Sequence, residues 1–515
     1  MKKFFALLLT LAMVLSLAAC GGHDRDDAEV SGNETTGTEE VKDLPTTYAG
    51  VETFMYASLD PHVDYYSWHD QKYGLTESLF MVEEDLSISP WLAESLTSEE
   101  NVHTLVMKDG VCFSNGNALT AEMVQRNLIR LAETNRRFAH YATWTYEVVD
   151  DKTLVITTPT VYPTLINEFA SPEVCMLDLD NTTDFALAPI STGPFAVESF
   201  APESDLFMVA NEHYWGGDVV LEKATWYAMS DTQARLMAMQ NGEINAADNI
   251  TTTDIEIFSM EPDRYNLFAA ETNFRQYLLV NSKVVPASVR EAIALMVDRE
   301  AMAAFLPGVL APASSAFNAS TPYGKGSNPA RDVDAAKAVL EADGYALVDG
   351  VWTKNGAPLT IVLDTYAARN QDTLAVLLQE QLTAFGIKAE VKVNEDPDST
   401  YMSTGDFQVA FYRMNCDKTN DPFPFIEGTM LTGSYQDLVG YASAETDAQI
   451  ETLRTLGGQE RYDMANEMMA AMYESNCFIF LVSNVKNVVT EVGLTNYSVE
   501  NPNEYYGLWA DTCWQ

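Results

Sequence analysis

Basic residues are scarce in this chain: 30 Lys and Arg stand against 75 Asp and Glu, giving a formal net charge of -45 over 515 residues. A surface this acidic repels polyanions, which excludes nucleic acid and an anionic bilayer face as partners. Cysteine is scarce too. Beyond Cys20 there are five, Cys112, Cys175, Cys416, Cys477 and Cys513, odd in number, widely spaced and without a CxxC pair. Such spacing implies no disulfide framework, although one or two bridges or buried thiols both remain open. No segment after Ala19 is apolar enough to span a membrane. Also missing are GxSxG, HExxH, a Walker loop, GxGxxG and an EF-hand loop, so the readily legible enzyme classes drop out.

What is present begins at Met1. Lys2 and Lys3 precede an uncharged apolar run from Phe4 to Ala19, closed by Leu17-Ala18-Ala19-Cys20-Gly21-Gly22. Small residues before a cut mark residues 1–19 as a secretory signal. The Cys at the cut looks like a bacterial lipobox, which makes Cys20 the acylated N-terminus of a lipoprotein on the outer face of the cell membrane. Residues 20–47 are polar and Gly/Thr/Glu-rich, too poor in large apolar side chains to offset the entropy of ordering, and are expected to form a tether. Stable anchoring then requires more than one acyl chain.

The remainder is long enough for two or three lobes, and at 47% hydrophobic and 11% aromatic residues it can fill large cores. Strand and helix patterns alternate. Val102–Met107, Thr153–Thr158, Leu206–Ala210, Tyr277–Asn281, Leu359–Leu363, Ile387–Val393 and Phe407–Tyr412 read as strands. Thr120 caps a helix through Leu131, Pro286–Phe305 reads as one helix, Asp332 opens another that ends at Gly344, and Asp372–Phe385 is closed by Gly386. This rhythm predicts mixed α/β lobes.

Longer segments follow in a fixed order: Leu59-Asp60-Pro61-His62; Pro90-Trp91-Leu92-Ala93-Glu94-Ser95-Leu96; Lys108-Asp109-Gly110 leading to Phe113-Ser114-Asn115-Gly116; Ser191-Thr192-Gly193-Pro194-Phe195; Asn211-Glu212-His213-Tyr214-Trp215-Gly216-Gly217; Met239-Gln240-Asn241-Gly242-Glu243; and Val297-Asp298-Arg299-Glu300. Together they resemble extracellular solute-binding protein family 5, the peptide- and nickel-binding proteins of ABC importers, from about Leu59 to the C-terminus. The resemblance implies a two-lobed α/β fold of the periplasmic-binding-protein kind with an extra third domain. On it, residues 48–82, 190–283 and 485–515 are expected in lobe I, 83–189 in the small domain and 284–484 in lobe II. It also implies a monomer whose partners are an ABC permease and ATPase, with no cofactor of its own. Nickel enters only as part of a chelate ligand.

The same resemblance supplies the expected site. Tyr65, Tyr66 and Trp68 lie on the loop that lines the pocket in relatives. Arg137 sits where a carboxylate-binding arginine is expected, since a guanidinium fork matches a carboxylate. His69 and His140 are the candidate metal contacts, imidazole suiting Ni(II). A second pocket arginine expected after Ser171-Pro172 is replaced by Glu173. The peptide branch anchors an amino group with an Asp before an acid–Pro pair. Here Asp421-Pro422 is the pair and Asp417 stands one residue out of register beside Lys418, while Arg413 and Asn415 are expected to face the cleft. The Met464, Met468, Met469, Met472 stripe reads as a core face. An extracellular peptidase or amidase and a ligand-sensing receptor subunit are the alternative functions.

Overall fold

The computed structural model describes residues 44–53, 57–499 and 501–515. The expected signal segment and Cys20 lie outside these residues. Pro45–Gln515 forms one compact unit.

Three sheets organise it. In the first, Thr47–Glu52 pairs parallel with Lys223–Ala228, followed antiparallel by Leu206–Ala210 and Phe195–Phe200. The second is antiparallel, built from Ala93–Glu99, Val102–Met107, Thr153–Thr157 and Thr145–Val148. Helix Ala121–Thr134 packs on it, its end fixed by the Thr120 side chain accepting from Met123 N. The third sheet has seven strands, in which Thr360–Tyr366 runs parallel to Lys388–Asn394 around the crossover helix Gln371–Phe385. That helix stops at Gly386, whose φ of +99° is open to glycine at little cost.

Two strands of the third sheet are unusually long, Tyr265–Val280 and Phe478–Glu491. Their antiparallel register breaks between Glu271 and Arg275, so Thr272–Phe274 bulge opposite Asn484. Tyr265 and Val489 pack in the first-lobe core, whereas Leu278, Val280, Ile479 and Leu481 pack in the second. The chain therefore crosses between cores at this bulge, before the border expected at residue 283. Leu79, Phe80 and Val82 likewise join the small-domain core, earlier than the expected start at residue 83.

The expected single helix over 286–305 is two, Ala287–Met296 and Arg299–Ala304. Val297 is extended, and the Asp298 carboxylate accepts from Ala301 N to start the second. A local cap thus outcompetes continuation of the first helix. The Met468, Met469 and Met472 side chains are buried in the second-lobe core.

Gly193 makes the turn that returns the chain to the first lobe. A Cβ there would fall 2.3 Å from Gly74 O, so no larger residue fits. Beside it, Tyr214 Oη and Trp215 Nε1 donate to Glu77 at 2.7 and 2.8 Å. Burial raises the Glu77 carboxyl to about 7 despite those hydrogen bonds. A raised folded-state value means stability is greatest below the unfolded carboxyl range and falls as pH climbs through 7. We expect Glu77→Gln to remove a slope worth about 3 kcal/mol between pH 4.5 and 7. Urea denaturation of both proteins across that window would test it, and parallel curves would refute it.

Candidate functional site

The cleft is assembled from four segments. The loop before helix Tyr66–Lys72 carries Tyr65, and the helix carries Trp68 and His69. The short helix Arg136–Thr143 presents Arg137, its start fixed by Asn135 Oδ1 accepting from Arg137 N. Asn135 Nδ2 also donates to Asp64 O, tying this helix to the Tyr65 loop. Strand Val409–Asn415 enters from the second lobe, and the C-terminal segment brings Asn503 to Tyr505.

At the centre is a single carboxylate. Glu173 is fully buried, and its Oε1 accepts from Trp68 Nε1 at 3.1 Å, Arg137 Nη1 at 3.2 Å and Lys418 Nζ at 2.6 Å. Ser171 Oγ donates to Oε2 at 2.5 Å. Burial would raise this carboxyl, but Lys418 and Arg137 outweigh it and hold it at about 2. Aromatic faces cover the cations: the Arg137 guanidinium lies 3.5 Å from the Tyr65 ring centroid and Lys418 Nζ 4.9 Å from that of Trp68. Trp68 in turn meets Tyr65 at 4.9 Å and Tyr505 at 5.0 Å.

Arg413 forms a second cationic point. Its guanidinium covers Phe274 at 3.7 Å, Nε donates to Asn484 Oδ1 at 3.1 Å, and Glu504 stands 3.5 Å away. Burial lowers its pKa to about 10, with Glu504 acting in the opposite direction. Asn415 Nδ2 donates to the Tyr505 hydroxyl and reaches Asn503 at 3.4 Å. Asn167 Nδ2 also donates to Thr419 O at 2.9 Å, linking a segment expected in the small domain to one expected in lobe II. Next to the cleft Glu52, Trp68, Lys72, Asp248 and Tyr505 line a cavity of about 60 Å³. The larger hollow, about 430 Å³, lies elsewhere, between helix Gln371–Phe385 and strand Lys388–Asn394.

Tyr65, Trp68 and Arg137 meet around Glu173, Asn415 joins them through Tyr505, and Arg413 stands two residues before Asn415 on the same strand, while Tyr66 is half-buried. Three expectations are corrected. Asp417 turns inward: it is buried, Tyr323 Oη donates to it at 2.6 Å, and burial raises it to about 6. The strand ends at Asn415, and Cys416 N is bound to Asn273 O, which breaks the alternation that would have aimed residue 417 at the cleft. Lys418 takes that place. His69 and His140 do not share a position. His69 Nδ1 bonds the Tyr73 hydroxyl at 3.1 Å and lies 3.6 Å from Glu52, whereas His140 Nε2 bonds Glu168 at 2.9 Å. Among the described residues no three His, Cys, Asp or Glu groups converge to hold a metal. Asp421 is also internal, gripped by the buried Arg461 at 2.7 Å. Sequence reasoning missed the roles of Glu173, Lys418 and Tyr505. The replacement of an expected arginine by Glu173 was the available signal.

Two lobes joined by paired long strands and shut over a charged, aromatic-lined cleft define a hinged solute receptor. The chain belongs to the bacterial extracellular solute-binding proteins, family 5, whose model (Middle) matches residues 87–437. The nickel-binding protein NikA of Staphylococcus aureus is 25% identical over 437 residues, covering 83% of this chain and 87% of that protein. The nickel-binding periplasmic protein of Escherichia coli K12 is 27% identical, covering 78% and 82%. The glutathione-binding protein GsiB of Salmonella typhi is 25% identical over 61% of this chain and 63% of its own. Among solved structures, the nickel ABC transporter protein from Bacillus halodurans superposes with a TM-score of 0.76 at 26% identity, covering 91% of this chain and 99% of that one. NikA from Brucella suis reaches a TM-score of 0.82 at 21% identity, over 91% and 100%, a likeness of fold. The fold is two-lobed α/β, and the protein is an extracytoplasmic substrate-binding component of ABC import.

Proposed function

We propose that the cleft captures a nickel chelate of small carboxylate-bearing molecules and delivers it to an ABC permease and its ATPase from a lipid anchor at Cys20. The observation that carries this reading is that Arg137 and Lys418 share the one carboxylate of Glu173 and so leave a positive charge over, with Arg413 beside Glu504 as a second cation, in a chain whose net charge is -45. Cations concentrated against the global charge suit an anionic ligand. The rings of Tyr65, Trp68 and Tyr505 supply flat apolar walls for the chelator. Short peptides are the second reading, and the inward turn of Asp417 disfavours them, because it leaves Lys418 where a peptide amino group would need an acid. The metal is cargo in this reading, completed by its chelator, and the role is binding rather than catalysis.

Thermal melting with short peptides, with Ni(II) alone and with Ni(II) plus histidine tests it. A stabilisation of about 2.7 kcal/mol is expected at a hundredfold excess over Kd with nickel and histidine together. A shift produced by peptides alone would overturn the chelate reading.

A further inference from the structure

We infer that Glu173 is an internal stand-in for a ligand carboxylate, one that latches the two lobes together before any ligand arrives. The inference rests on the reading of this cleft as the ligand site, and takes it further.

The geometry of one residue carries it. Arg137 and Lys418 are both placed to grip a carboxylate, and both already grip Glu173. Glu173 follows Ser171 on the first-lobe side, with Arg137 and Trp68, whereas Lys418 lies just past strand Val409–Asn415 in the second lobe. One oxygen atom thus joins groups from opposite sides of the hinge. The contact is dry, since Glu173 is wholly buried and the Lys418 side chain is about four-fifths covered. Shielded from water in this way, the pair attracts more strongly than one on a surface, set against the hydration both charges recover on opening. Opening the cleft must separate Lys418 from Glu173 and rehydrate both.

Two consequences follow for the ligand. Two cations share one carboxylate, so a single positive charge is left over at this point of the cleft. A ligand bringing one negative group here meets a matched site, and a ligand bringing two must displace Glu173.

Small-angle X-ray scattering of the ligand-free chain from Gly21 onward tests the latch without any ligand. The wild-type protein is expected to scatter as the closed structure does. Glu173→Gln and Lys418→Met should each increase the radius of gyration towards an open form, while Arg126→Met, which breaks only the exposed pair with Asp180, should leave it unchanged. Lys418→Met decides the matter if Glu173→Gln does not fold, as judged by circular dichroism. The latch is refuted if the ligand-free wild type is already open, or if a folded Lys418→Met variant stays closed. Either result leaves the melting experiment free to judge the ligand independently.

Discussion

Arg461→Met is expected to destabilise the protein by about 3–5 kcal/mol, the usual cost of removing one partner from a buried ion pair. Arg461 is 1% exposed and binds Asp421 through Nε at 3.0 Å and Nη2 at 2.7 Å. Its Nη1 also donates to Leu453 O and Leu456 O, carbonyls at the end of helix Ala444–Thr455, where the helical N–H donors run out. Methionine keeps the packing volume but supplies none of these donors. Asp421, buried at the start of helix Phe423–Met430, would be left without its cation. Nη2 additionally reaches Thr164 Oγ1, so the loss spreads to the small domain. Urea denaturation measures the effect. A loss below about 1 kcal/mol, the scale of an exposed pair, would show that water reaches Asp421 freely.

Lys72→Met should cost a similar 3–5 kcal/mol at neutral pH and also reverse the direction of a pH dependence. Lys72 is buried between Glu52 Oε1 at 2.6 Å and Asp248 Oδ2 at 2.5 Å, with the Trp226 ring 5.1 Å away. Burial alone would raise the Glu52 carboxyl, but Lys72 and then His69 bring it down to about 2. A lowered folded-state value gives stability that is present above the unfolded carboxyl range near 4.5 and lost as pH falls through 2. Without Lys72, two buried carboxylates face each other across the cavity wall. Without the Lys72 charge, desolvation raises the Glu52 carboxyl, and its protonation favours the folded state. The variant should therefore gain stability as pH is lowered from 8 to 5. A variant whose profile merely runs parallel to the wild type would show that the acids separate instead.

Much of the scaffold was legible because local chemistry and packing agree. Thr120 caps its helix, Gly386 ends another, and Leu206–Ala210 is a strand over the residues its alternation marks. Failures came where a contact distant in sequence decides. The helix break at Asp298 is local, but the border between lobes is set by a bulge opposite Asn484, more than two hundred residues away in the chain. At the candidate site, Trp68 and Arg137 were singled out through the family resemblance, and both contact Glu173. Glu173 was visible only as a departure from the expected arginine, since nothing in its neighbourhood reveals that Lys418 comes to meet it. Asp417 was misjudged for the converse reason: strand alternation was extended past Asn415, where the backbone is already bound to Asn273.

The bulge at Thr272–Phe274 has a mechanical meaning. Because both crossings are strands bonded to each other, the lobes are tied by a two-ply ribbon rather than by independent strings. A ribbon flexes across its flat face and is stiff within its plane, so any hinge motion here would follow one arc rather than slide. The bulge itself touches the cargo wall, Asn273 Nδ2 donating to Asp417 O at 2.8 Å and Phe274 lying under Arg413. A motion so constrained would bring the same surfaces to the same opposing partners, with no lateral search.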